Sequence, residues 1–158
     1  MTGGQGAQTF EVPTVAGMRA LGRRIAARLR AGDLVLLSGD LGAGKTTLTQ
    51  GVAAGLDARG PVTSPTFVIA RLHPSLRGGP PLVHVDAYRL GGAAELDDLD
   101  LPLQEAVTVV EWGSGIAERL SPDRMEVSIR RREADERRTV TVVGVGQRWQ
   151  GQRVVTSA

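Results

Sequence analysis

The chain has 158 residues and a formal net charge of +2, and its length suits one globular domain with a core of its own. It has no cysteine and two histidines, which excludes disulfides, thiolate metal sites and histidine-rich metal sites. The N-terminus lacks the basic and apolar regions of a signal peptide, and no apolar run approaches the ~20 residues of a membrane span. We therefore expect a cytoplasmic protein that does not contact a membrane.

The first part of the chain predicts a strand, a helix and a second strand. Residues 1–7 are rich in glycine, and we expect them to be disordered. Residues 9–12 predict a short edge strand, and residues 34–37 form the continuous apolar run of a strand buried on both faces. Between them, Thr14 is placed to cap a helix. One face of that helix carries apolar residues at spacings of three or four, namely Val15, Met18, Leu21, Ile25 and Leu29.

The remainder alternates between helices and apolar strands. We predict helices or helical turns over 46–56, 93–101 and 116–120, strands over 67–70, 82–85 and 107–110, and a hairpin with strands 125–129 and 139–145. The run between the hairpin strands mixes acids with arginines, and we interpret it as a solvated turn rather than an RNA-binding surface. This alternation predicts an α/β fold, a three-layer sandwich with a mainly parallel sheet and a C-terminal antiparallel hairpin. The domain would cover residues 8–145, and residues 146–158 would form a loose tail.

A glycine-rich loop lies between the strand at 34–37 and the next helix. Residues 39–46 read GDLGAGKT and match the phosphate-binding motif GxxxxGK[ST]. In such a loop, backbone N–H groups and the helix N-terminus hold the phosphates, the lysine bridges the β- and γ-phosphates, and the threonine hydroxyl binds Mg²⁺. The motif predicts a P-loop NTPase-like domain that binds MgATP through Leu41, Gly42, Ala43, Gly44, Lys45, Thr46 and Thr47.

The position of Lys45 argues against a chance match. Of the 19 basic residues, 18 are arginine and only this one is lysine. The motif needs a compact ammonium on a thin stem at this position, and a guanidinium would not fit between phosphates in the same way. The single lysine therefore supports the phosphate-binding interpretation.

Two acidic residues follow buried strands directly. Asp86 comes after the strand at 82–85, and Glu111 comes after the strand at 107–110. The carboxyl ends of parallel strands form the edge at which open α/β sheets bind ligands, and a P-loop protein needs an acid there for the metal or its waters. Asp86 and Glu111 are therefore catalytic candidates together with Lys45, and the sequence leaves the division of roles between them open.

The segment Ser64, Pro65 and Thr66 lies between the helix of the glycine-rich loop and the next strand. P-loop switch proteins place a γ-phosphate sensor at this position, and the hydroxyl groups suit that role. A plain Ser-Pro turn explains the segment equally well.

Several nucleotide-dependent classes are excluded by missing motifs. The chain has no asparagine and therefore lacks the NKxD element that reads guanine in Ras-like GTPases. It also lacks the LSGGQ signature of transporter ATPases. A small-molecule kinase stays open as the alternative function, although we identify neither an acceptor pocket nor a lid.

Taken together, these motifs resemble the TsaE (YjeE) family, the ATPase of bacterial tRNA threonylcarbamoyladenosine synthesis. The likeness covers roughly residues 10–145. It is carried by four segments in order, at residues 39–47, 64–67, 84–90 and 111–112. A departure lies at His73, where family members often have tyrosine.

The resemblance implies a role for each segment. Thr46 and Glu111 would be the magnesium ligands, Asp86 a Walker B-like acid, and residues 64–67 a switch-like loop. Trp112 would pack beside the nucleotide, and the base would lie near Thr14 and Val15. The implied partners are TsaD-like and TsaB-like proteins. ATP hydrolysis by this chain would drive their turnover, and the chain would act on tRNA only indirectly, through that complex.

Overall fold

The computed structural model describes residues 6–40, 42–63, 70–87, 93–111, 121–132, 134–135 and 137–155. The helices and strands are, in chain order, β1 (Ala7–Val12), α1 (Val15–Ala26), β2 (Leu34–Gly39), α2 (Lys45–Gly55), β3 (Ala70–His73), β4 (Leu82–Asp86), α3 (Ala93–Asp98), β5 (Val107–Glu111), β6 (Arg124–Arg131) and β7 (Arg138–Val145). A 3-10 turn, Gln147–Trp149, follows β7. The expectations for Leu41, Ser64, Pro65, Thr66, Trp112 and the helical turn at 116–120 lie outside the described residues.

The described strands form one sheet in the order β1-β7-β6-β2-β5-β4-β3. β2 lies at its centre and pairs in parallel with β5 and β6, and β5 pairs in parallel with β4. β7 and β3 run in the opposite direction, each antiparallel to its neighbours. The predicted α/β fold, with a mainly parallel sheet and a C-terminal antiparallel hairpin, is confirmed.

One face of the sheet is covered by α1 and α2, which pack closely against each other. Met18, Leu21 and Ile25 of α1 are buried there, as their spacing predicts, together with Leu48 and Val52 of α2. The helices touch through glycine: a Cβ on Gly51 would collide with the backbone carbonyl of Arg19. This close contact fixes the position of α2 against α1.

The opposite face carries a second apolar cluster. Leu34, Leu36, Val83, Val85 and Val110 point to this side, because side chains alternate along each strand. Leu99 and Leu101, in the segment after α3, pack against them. The sheet thus has a core on both faces, which explains why β2, β4 and β5 read as continuous apolar runs.

The prediction of a loose tail over residues 146–158 is wrong for the part that the structure describes. Trp149, Val154 and Val155 are buried in the same core as α1. The amide of Gln8 accepts hydrogen bonds from the backbone N–H groups of Val154 and Val155, at 3.0 and 2.9 Å. These contacts join residues almost the whole chain apart, and a 3-10 turn of three residues leaves no periodic pattern.

Other boundaries differ by a few residues. β1 begins at Ala7, so the predicted disorder of residues 1–7 does not extend that far, and residues 1–5 lie outside the described part. α1 ends at Ala26. β3 covers Ala70–His73 instead of 67–70, of which 67–69 are not described. The apolar pattern missed residues 71–73 because Arg71 and Leu72 are exposed on an edge strand.

Among the residues that the structure describes, no helix combines the length and the apolar character that crossing a membrane requires.

Candidate functional site

The glycine-rich loop joins the carboxyl end of β2 to the first turn of α2. Gly44 is the N-cap of α2 and has φ of 115°, which a residue with a side chain rarely adopts. Gly44 O accepts from Leu48 N at 2.9 Å and so begins the helix. No side chain among the described residues caps this helix end, so the backbone N–H groups of its first turn point out of the helix, as anion binding requires.

Lys45 begins α2 and is buried, with 6% of its surface exposed. Its Nζ donates to the carbonyl oxygens of Gly39 at 2.6 Å and Asp40 at 3.0 Å. Burial lowers the pKa of Lys45, and the negative charges of Glu111, Asp40 and Asp86 oppose that shift. The ammonium group therefore lies within the field of both predicted strand-end acids.

The pKa of Lys45 can be tested directly, because a protein labelled with [¹⁵N]lysine has one lysine Nζ signal. We expect its titration midpoint to lie below the ordinary value of 10.5. Glu111→Gln should lower the midpoint further, since it removes a charge that raises this pKa. The exposed Glu105→Gln should leave it unchanged. A midpoint at or above 10.5 would contradict the burial argument.

The two strand-end acids lie side by side. β4 and β5 are parallel, and their register sets Asp86 opposite Glu111, with Leu37 of β2 on the other side of Glu111. Alternation along the strands places both acids on the face of the sheet that α1 and α2 cover. Asp86 is half-buried, whereas Glu111 is 4% exposed. Both acids thus lie at the carboxyl edge of the sheet, where the sequence predicts them.

His84 contacts this pair, and sequence reasoning did not single it out. It lies on β4 two residues before Asp86, on the same face, and is fully buried. Its Nε2 donates a hydrogen bond to Glu111 Oε2. A polar residue within an otherwise apolar strand, two positions before a strand-end acid, is the signal that could have found it.

A pocket of about 330 Å³ adjoins the glycine-rich loop. Thr14 and Val15, predicted near the base, line it together with the loop, and Thr14 also caps α1 by accepting from Gly17 N at 2.9 Å. Val15 is 58% exposed, so it faces the pocket side rather than the core that its spacing predicted. The lining residues are Val12, Pro13, Thr14, Val15, Met18, Gly42, Ala43, Gly44, Thr47 and Arg138.

Arg138 connects the hairpin to the loop. It lies at the start of β7, and its Nε donates to Ala43 O at 3.0 Å, while Nη2 is 3.5 Å from Gly42 O. The guanidinium thus binds the backbone of the glycine-rich loop directly, and Arg138 lines the same pocket as the loop. The interpretation of residues 130–138 as a plain solvated turn therefore missed a contact to the site.

The described residues contain no group of three or more histidine, aspartate or glutamate side chains arranged to hold a metal ion. Mg²⁺ sites in nucleotide-binding proteins are generally built from one or two protein oxygens together with phosphate and water. Glu111, Asp86 and the half-buried Thr46 on the first turn of α2 supply oxygens of that kind. His73, at the departure from the family pattern, is buried and donates through Nδ1 to Arg59 O at 3.1 Å.

Comparison with known proteins identifies the family. A family model described as "Threonylcarbamoyl adenosine biosynthesis protein TsaE" matches residues 12–140. The chain belongs to the TsaE family. The tRNA threonylcarbamoyladenosine biosynthesis protein TsaE of Streptomyces coelicolor is 64% identical over 138 residues, covering 84% of this chain and 93% of the relative. Its counterpart in Bacillus subtilis is 40% identical over 137 residues, covering 84% and 82%.

A solved structure is similar to this chain in its fold. The crystal structure of Bacillus subtilis YdiB matches this chain with a TM-score of 0.74 and 32% sequence identity. The match covers 92% of this chain and 90% of YdiB. The family resemblance that the four motif segments predicted is therefore confirmed over most of the chain.

Proposed function

We propose that this TsaE-family chain is a cytoplasmic, Mg²⁺-dependent ATPase that supports threonylcarbamoyladenosine formation in tRNA. It binds TsaD-like and TsaB-like proteins and couples ATP hydrolysis to their turnover. It acts on tRNA only indirectly, through that complex. The observation that carries the proposal is the position of Lys45, which begins α2 within the charge field of Glu111 and Asp86.

Each residue of the site has a role in this proposal. Lys45 and the N–H groups of the glycine-rich loop hold the phosphates, and Thr14 and Val15 lie beside the base. Thr46 and Glu111 hold Mg²⁺, which when bound neutralises charge on the phosphates. Asp86, less buried than Glu111, orients the attacking water. Because every one of these roles depends on exact positioning, partners that complete or tighten the site would raise the rate, and we expect slow hydrolysis by the isolated protein.

The test is ATP turnover by the purified protein, with and without purified TsaB and TsaD homologues. We expect weak Mg²⁺-dependent hydrolysis alone and a clear increase when both partners are present. An absence of binding together with an unchanged rate would contradict the proposal. Transfer of phosphate from ATP to a metabolite instead of water would favour the small-molecule kinase.

Arg138 offers a test of the loop itself. Arg138→Ala should weaken ATP binding about 10-fold, because it removes a charge-assisted hydrogen bond, worth roughly 1.5 kcal/mol, to the backbone of the glycine-rich loop. The matched control is Arg137→Ala, which removes the preceding, exposed arginine. Equal affinities of both variants, measured by fluorescence titration with an ATP analogue, would show that Arg138 does not support the loop.

A further inference from the structure

His84 and Glu111 form a buried pair next to the glycine-rich loop. His84 is fully buried, Glu111 is 4% exposed, and Nε2 of the imidazole donates to Glu111 Oε2. Among the described residues, Nδ1 of His84 has no hydrogen-bond partner. With the hydrogen on Nε2, the ring makes its contact to Glu111 and leaves Nδ1 as an acceptor.

Strand register shows which neighbour the Glu111 side chain reaches. Glu111 lies opposite Asp86, and His84 lies opposite Val109, one pleat earlier. The Glu111 side chain therefore reaches back diagonally to His84, although Asp86 lies directly beside it. Two adjacent carboxylates repel each other, and the bond to His84 draws one of them away from the other.

Stability alone does not account for a histidine at this position. The neighbouring strand residues Leu82, Val83 and Val85 are all buried and apolar. Replacing a buried polar pair by apolar residues of similar volume is often neutral or stabilising. The position of this pair beside Lys45 and Asp86 points instead to a role in the site.

We propose that His84 is a positioning residue for Glu111. Its hydrogen bond occupies Oε2, holds the carboxylate in one orientation, and leaves Oε1 for Mg²⁺ or a water bound to it. The inference rests on the proposed function, in which Glu111 is a magnesium ligand. It also separates the two acids: Glu111 is held rigidly as the ligand, and half-buried Asp86 acts on water.

The test uses three substitutions of His84 that move or remove the hydrogen-bond donor to Glu111. His84→Gln places an amide near the position of Nε2, His84→Asn places one near Nδ1, and His84→Leu removes the donor. Binding of a fluorescent ATP analogue is titrated with Mg²⁺ and, separately, in EDTA, and circular dichroism verifies folding.

We expect the Leu and Asn variants to need about 10- to 100-fold more Mg²⁺ for half-saturation, as is usual when a partner of a metal ligand is lost. Their affinity in EDTA should equal that of the wild type, and His84→Gln should need less additional Mg²⁺ than either, because its amide can still donate to Glu111. An unchanged Mg²⁺ requirement, an equal loss of affinity in EDTA, or a Gln variant as impaired as the Leu variant would each overturn the inference.

A measurement on the wild-type protein avoids dependence on folding of the variants. The ¹H–¹⁵N signal of His84 Nε2 should shift when Mg²⁺ is added to the nucleotide-bound protein, and an unshifted signal would overturn the inference. Mg²⁺-dependent binding by the wild type with unaffected variants would overturn the role of His84 alone. Wild-type binding that is independent of Mg²⁺ would overturn the proposed function and this inference together.

Discussion

Lys45→Arg is expected to reduce ATP turnover by about 10²- to 10³-fold, the usual cost of losing one preorganised charge-stabilising group. The variant keeps the positive charge, so the loss would come from shape. Nζ of Lys45 lies between the carbonyl oxygens of Gly39 and Asp40, and only 6% of the residue is exposed. A planar guanidinium is wider than an ammonium and cannot make the same contacts in that space.

The matched control for this substitution is the reverse exchange at Arg77, Arg77→Lys, because that side chain is 80% exposed and pairs with Asp57 beyond the C-terminal end of α2. It exchanges the same two residue types at a position away from the loop and should leave ATP turnover unchanged. Turnover is measured as phosphate release with saturating MgATP, and circular dichroism verifies that both variants fold. Wild-type activity of Lys45→Arg would show that the single lysine is not a requirement of the site.

Trp149→Ala is expected to lower the free energy of unfolding by about 3–5 kcal/mol, the usual cost of deleting a large buried side chain. Trp149 is 1% exposed, and its Cβ lies where a side chain on Gly144 would be. The guanidinium of Arg148 lies 3.9 Å from the centre of the indole ring, and Arg148 also bonds the buried Asp33 at 3.0 Å. Removing the indole would therefore leave a cavity and disturb this ion pair.

Urea unfolding monitored by circular dichroism measures the effect, and Gln150→Ala is the control, because that neighbouring residue is exposed. The control should change stability by less than about 0.5 kcal/mol. An equally small effect of Trp149→Ala would support the loose tail that the sequence predicted.

Local signals predicted most of the fold and part of the site. Buried parallel strands leave continuous apolar runs, so β2, β4 and β5 were found within two residues of their observed ends. The glycine-rich loop was found because its chemistry depends on contiguous residues. Asp86 and Glu111 were found because an acid that ends a buried strand stands out against the apolar run before it.

The sequence by itself thus determined the α/β class, the position of the loop, the strand-end acids and the TsaE resemblance, because each depends on residues close together in the chain. Only the tertiary structure decided which distant residues meet. It paired His84 with Glu111, brought Arg138 to Ala43, and buried Trp149. Strand register and packing set these contacts, and they join residues 27 to 95 positions apart, a separation that leaves no periodic pattern in the sequence.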